Sequence, residues 1–86
     1  MAELDQLVLA ELRRIARDEL EHPHEVSPAQ RLQEDLHLDS MAMIIVAVGL
    51  ENRFRVKLQE EDAGSLLTVG DLIALVVRRV AESRPG

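Results

Sequence analysis

The sequence predicts an all-α domain, a four-helix up-down bundle with a long first loop and a short third helix. Three observations predict it. Apolar residues recur at three- and four-residue steps in three separate segments, which is the spacing of one helical face. Residues suited to helix starts stand just before the second and last of these segments. Hydrophobic residues make up 47% of the chain, yet Phe54 is its only aromatic. A core of Leu, Ile, Val, Met and Ala suits helix-on-helix packing.

The first helix is expected over roughly 3–20. Leu4, Leu7, Val8, Leu12 and Ile15 mark its apolar face, with Glu3, Asp5, Glu11, Arg13, Arg14 and Arg17 on the others. His22-Pro23-His24 is expected to end it, because proline disfavours helical geometry in the residue before it. The connection from Glu21 to Asp39 is long for so small a domain, and loops of that length are usually functional or disordered. Leu32, Leu36 and Leu38 suggest that it is pinned to the core. Ser27 and Pro28 suit the cap and first position of one short turn. From Asp18 to Asp39 the loop carries acids against Arg31 alone, a negative collar leading up to Ser40.

A second helix is expected over 40–54, with Asp39 as its N-cap. Met41, Ile44, Val48 and Glu51 lie on one stripe, and Ile45, Val46, Ala47 and Leu50 widen it. A helix apolar nearly all round is either central or exposes a sticky face. Arg53, Arg55 and Lys57 reverse the charge at its C-terminal end, where cations are favoured. A short helical turn is expected over 60–64, ended by Gly64. Thr68-Val69-Gly70-Asp71 resembles a capping box with Asp in place of Glu or Gln. It opens a last helix over 69–81, whose stripe is Val69, Leu72, Ile73, Val76 and Val80.

Composition narrows the function. The 86 residues make one domain, 1–86, large enough for a single core. The net charge of −6 argues against binding a phosphate backbone, and the lack of aromatics removes any platform for stacking bases. No partnership with nucleic acid is expected. The start, Met1 to Asp5, is acidic and shows no secretory signal. The most apolar stretch, Leu36 to Leu50, is interrupted by His37 and Asp39 and is too short to span a bilayer. A soluble, cytoplasmic monomer without membrane partners is expected. The absence of cysteine fits a reducing compartment.

Ser40 stands on a sharp boundary between acids and an uncharged apolar run. His37, Asp39 and Ser40 are too close in sequence to align nucleophile, base and orienter, and no Gly-x-Ser-x-Gly motif appears. Catalysis is therefore not expected, and Ser40 reads better as an attachment point than as a catalyst. On local sequence alone, an unmodified capping serine is the simpler reading. His22, His24 and Glu25 are too sparse to suggest a metal site.

Three motifs in order change the balance at Ser40. Asp35-Leu36-His37-Leu38-Asp39-Ser40-Met41, Leu50-Glu51-Asn52-Arg53-Phe54 and Thr68-Val69-Gly70-Asp71-Leu72 resemble motifs of the acyl carrier protein family. The resemblance covers the chain from Leu4 to Val77. It implies that a phosphopantetheinyl transferase moves 4'-phosphopantetheine from coenzyme A onto the Ser40 hydroxyl, and that Asp39 helps hold the metal ion of that complex. It further implies a loading ligase or transferase for acyl or aminoacyl cargo, and downstream biosynthetic enzymes. His37 departs from the family pattern by standing where glycine is usual.

The expected partner surface is Met41, Ala42, Ile45, Val48, Glu51 and Asn52. Family members serving fatty-acid synthesis commonly place acids on this side, whereas here only Glu51 is acidic. Ile45 and Val48 are each open to a second reading as core residues, Val48 more so. The expected function is a freestanding acyl carrier for specialised biosynthesis, polyketide-like or of modified fatty acids. The alternatives are an aminoacyl or peptidyl carrier for nonribosomal assembly and an unmodified helical adaptor.

Overall fold

The computed structural model describes residues 2–21, 25–59, 62 and 65–83, and among these it is all-helical. Three helices form: α1 (Ala2–Asp18), α2 (Ser40–Phe54) and α3 (Val69–Ser83). The short helical turn expected over 60–64 lies outside the described residues except for Asp62. No helix of the described residues is long and apolar enough to cross a membrane.

The boundaries of α2 agree with the sequence. Asp39 takes an extended conformation, and its carboxylate accepts from the Ala42 N–H at 2.8 Å. At the other end Arg55 turns left-handed (φ 55°) and its N–H returns to the Glu51 carbonyl. The first helix was expected to reach Leu20 but ends at Asp18. Glu19 and Leu20 both donate to the Ile15 carbonyl, tightening the last turn, and Glu21 takes a left-handed φ of 52° that closes it. The His22-Pro23-His24 stop lies outside the described residues. The last helix outruns its expected end at 81 and continues to Ser83. Its start is the reciprocal cap expected. Asp71 N–H donates to Thr68 Oγ1 at 3.1 Å, while Asp71 Oδ2 accepts from Thr68 N–H at 3.0 Å.

The long loop is part of the core. Val26, Leu32, Leu36 and Leu38 are buried with Val8, Leu12, Ile15, Val46, Leu50, Val69, Leu72 and Val76. Ser27 N–H donates to Gln30 Oε1, closing the short turn the sequence marks. The turn is then stitched to the head of α3: Gly70 N–H donates to the Pro28 carbonyl, Val69 N–H to Gln30, and Leu32 N–H to Leu67. Phe54, the one aromatic residue, packs against the edge of the core and is half-buried.

α1 packs closely against both α2 and α3, whereas the backbones of α2 and α3 stand farther apart and their buried side chains meet in the shared core. The close approach of α1 to α2 occurs at Gly49, where a Cβ would lie 2.6 Å from Ile15 Cδ1. Since the loop 26–38 binds the head of α3 and leads directly into Ser40, α2 and α3 start at the same end of the molecule. They diverge around an open space.

Candidate functional site

Ser40 is the first residue of α2 and is exposed. Two local features put it there. His37 adopts a left-handed φ of 55°, and its N–H donates to the Gln33 carbonyl, closing a helical turn over 31–37. The chain then swings back so that Leu38 N–H reaches the Leu32 carbonyl and the Leu38 side chain enters the core. Asp39 and Ser40 are left outside. The left-handed φ accounts physically for glycine being usual at this position in the family the motifs resemble, since glycine alone adopts it without a steric cost.

Ser40 stands on the rim of a cleft of about 420 Å³ between α2 and α3. Beside Asp39 and Ser40 the rim holds Gln33; Met43, Ile44, Val46 and Ala47 form the α2 wall; Leu72 and Leu75 form the α3 wall. Leu32 from the long loop, and Leu58, Gln59, Asp62 and Leu66 from the segment joining the two helices, complete it. A volume in the range of about 300–1,000 Å³ with an apolar lining and a few polar groups is typical of small-molecule sites. No sequence motif marks this cleft. Its walls come from residues far apart in the chain.

The residues expected to meet partners do not behave as one set. Met41 (67% exposed) and Val48 (46%) are open to solvent, as is Asn52. Ala42 and Ile45 are half-buried and pack against the core. Ile45 is thus the more covered and Val48 the more open, the reverse of the expected order. Glu51 is half-buried and its Oε2 accepts from Leu58 N–H at 2.8 Å, so its carboxylate secures the chain leaving α2. Ile44, which the sequence places with Met41 and Ile45 at the border of the arm or the docking surface, is 59% exposed and borders the cleft. Ile44, Ile45, Val48 and Asn52 also line a second, wider groove of about 590 Å³ on the α1 side of α2.

No group of three or more potential metal ligands forms among the described residues. His22 and His24 lie outside them.

Comparison with known proteins agrees with this geometry. A family model described as a phosphopantetheine attachment site matches residues 10–76. An acyl carrier protein of Rhodococcus erythropolis is 35% identical over 95% of this chain and 91% of its own length. The meromycolate extension acyl carrier protein of Mycolicibacterium aurum is 38% identical over 73% of this chain, which spans 64% of that relative's length. The crystal structure of an acyl carrier protein from Thermotoga maritima superposes with a TM-score of 0.84, covering 94% of this chain and 95% of that one at 23% identity, and shows the same fold. The chain belongs to the acyl carrier protein family, whose prosthetic group is a covalently attached 4'-phosphopantetheine.

Proposed function

We propose that this chain holds acyl groups as thioesters on a 4'-phosphopantetheine arm at Ser40, in specialised biosynthesis of a polyketide-like or modified fatty acid kind. One observation carries the reading: an exposed serine hydroxyl heads an apolar cleft. The residues present fit the group. Ser40 Oγ, at the first position of α2, is where the phosphodiester bond would form, and a helix N-terminus favours the negative charge left there. Asp39 Oδ1 is engaged by Ala42 N–H, while Oδ2 has no hydrogen bond among the described residues and remains for the metal ion of the transferase complex. When bound, the arm supplies the thiol that a chain without cysteine lacks.

The chain's own residues bind and shelter; none catalyses. Met43, Val46, Ala47, Leu58, Leu66, Leu72 and Leu75 offer an aliphatic surface to a chain entering beside Ser40. Burying apolar cargo there is favourable by about 25 cal/mol per Å². That lining favours acyl over aminoacyl cargo. Met41, Ile44 and Val48, with Ala42, Ile45, Glu51 and Asn52 beside them, form the docking face for the phosphopantetheinyl transferase, the loading ligase or transferase and the downstream enzymes. Recognition there is chiefly apolar, and the name of the mycolate-related relative supports a specialised pathway. A cytoplasmic monomer fits this role.

The test is loading with octanoyl-coenzyme A and a broad-specificity phosphopantetheinyl transferase, read by intact mass. The expected result is one octanoyl-phosphopantetheine per chain, its acyl part released by hydroxylamine, and no gain in Ser40→Ala. No gain in the wild type, or an equal gain in Ser40→Ala, would overturn the reading.

A further inference from the structure

The cleft wall on α3 follows one helical face, Leu72 and Leu75, and the next residue on that face is Arg79. α3 starts beside the loop that leads into Ser40, so Arg79 lies at the end of the wall remote from the serine. There Arg79 Nη2 donates to both carboxylate oxygens of Asp62, at 3.0 and 2.8 Å. The pair links residues on separate elements, and both side chains are largely covered (25% and 17% exposed). Most ion pairs elsewhere on this surface join near neighbours in sequence, as in Arg14 with Glu11 and Arg31 with Glu34, and the other pair that links separate elements, Arg53 with Glu11, is looser at 4.0 Å.

Asp62 is itself a node. Its Oδ2 also accepts from Gln59 N–H at 3.0 Å, its N–H donates to the Gln59 carbonyl, and its carbonyl accepts from Ser65 N–H and Oγ. Leu58, Gln59, Asp62 and Leu66 line the cleft. Among the described residues of this segment, Asp62 is the one that forms an ion pair with α3, while Leu67 N–H donates to Asp71 Oδ2 near the head of that helix. Arg79 Nη1 is occupied by Glu82, but Arg79 Nε is buried without a hydrogen-bond partner among the described residues. An orphaned buried donor costs free energy that exposure to water would return. Opening the pair thus regains hydration at Nε, which offsets part of the loss of the charge-assisted bonds.

We propose that the Asp62–Arg79 pair is a releasable latch that holds the side of the cleft formed by Leu58, Gln59, Asp62 and Leu66 against α3, and so determines how well a long acyl group is sheltered. The inference rests on the carrier reading above. Arg79 and Asp62 act here as positioning residues, since neither meets the thioester. An acyl chain too short to reach the far wall is indifferent to the latch; one that reaches it depends on the latch being shut.

The test uses the full chain loaded with acetyl, hexanoyl or dodecanoyl groups, comparing wild type, Asp62→Asn, Arg79→Met and Arg79→Lys by the half-life of each thioester in hydroxylamine. In the wild type the longer acyl groups are expected to survive longer than acetyl. In Asp62→Asn and Arg79→Met, the dodecanoyl half-life is expected to fall about fivefold while that of acetyl stays unchanged. Arg79→Lys, which keeps the charge without the fork, should fall between. Two variants at different elements guard against misfolding, and circular dichroism shows which is folded. Unchanged dodecanoyl half-lives in a folded variant would overturn the latch, as would a wild type that protects dodecanoyl no better than acetyl. Failure of the wild type to gain any arm is a separate result, read by mass before hydroxylamine is added, and it overturns the carrier reading together with the latch.

Discussion

His37 holds a left-handed backbone (φ 55°) two residues before the N-cap of α2. For a residue with a Cβ this conformation costs about 1–2 kcal/mol, less the extra freedom that glycine has in the unfolded chain. His37→Gly is therefore expected to raise stability by about 0.5–1 kcal/mol in urea denaturation. A loss of stability would mean that the imidazole makes a contact the backbone argument omits. Asp71 and Asp62 make the second prediction at this scale. The Thr68 N–H, then the Leu67 N–H, hold the Asp71 carboxyl below its ordinary range. The Arg79 guanidinium, then the Gln59 N–H, do the same for Asp62. A carboxyl lowered on folding contributes stability above its unfolded pKa of about 4, and that contribution is lost as pH falls through the folded value. Thermal melts should thus decline below about pH 4, and Asp71→Asn should flatten the decline. An equally steep decline in Asp71→Asn would contradict this.

α2 was legible in the sequence at both ends, because Asp39 marks its start and the cluster of cations beyond Phe54 marks its stop. α1 was not, because its termination depends on a left-handed Glu21, a residue type that gives no such signal. The partner face of α2 was only partly legible. A helix that is apolar nearly all round does not declare which side is covered, and here Ile45 packs against the core while Val48 stays open. Glu51 read as a docking acid, yet its contact with Leu58 N–H lies seven residues ahead, beyond any local pattern. The two sides of α2 predict opposite mutant behaviour. Leu50 is fully buried, and Leu50→Ala should cost about 2–5 kcal/mol in denaturant unfolding. Ile44→Asp should leave stability within about 0.5 kcal/mol, as surface substitutions usually do. It should lower kcat/KM for the chain's loading enzyme about tenfold, the loss expected of an interface residue worth about 1.4 kcal/mol. Equal effects of both substitutions on stability would show that the stripe is not open.

At the scale of the molecule, α1 packs on both other helices and leaves α2 and α3 apart. The long loop, fastened to the head of α3 by backbone bonds from Gly70, Val69 and Leu32, sets that spacing and delivers Ser40 to the open end. The helical class, the burial of Leu32, Leu36 and Leu38 and the exposed serine could all be read from periodicity and caps. The cleft could not, because it is a distance between helices rather than a property of either. The direct measurement is methyl NMR of the chain bearing an octanoyl-phosphopantetheine arm, compared with the same chain bearing the free thiol. The account predicts shifts at Val46, Leu58, Leu66, Leu72 and Leu75, which line the cleft away from Ser40. Shifts confined to the methyl groups beside Ser40, those of Met41 and Ala42, would contradict it.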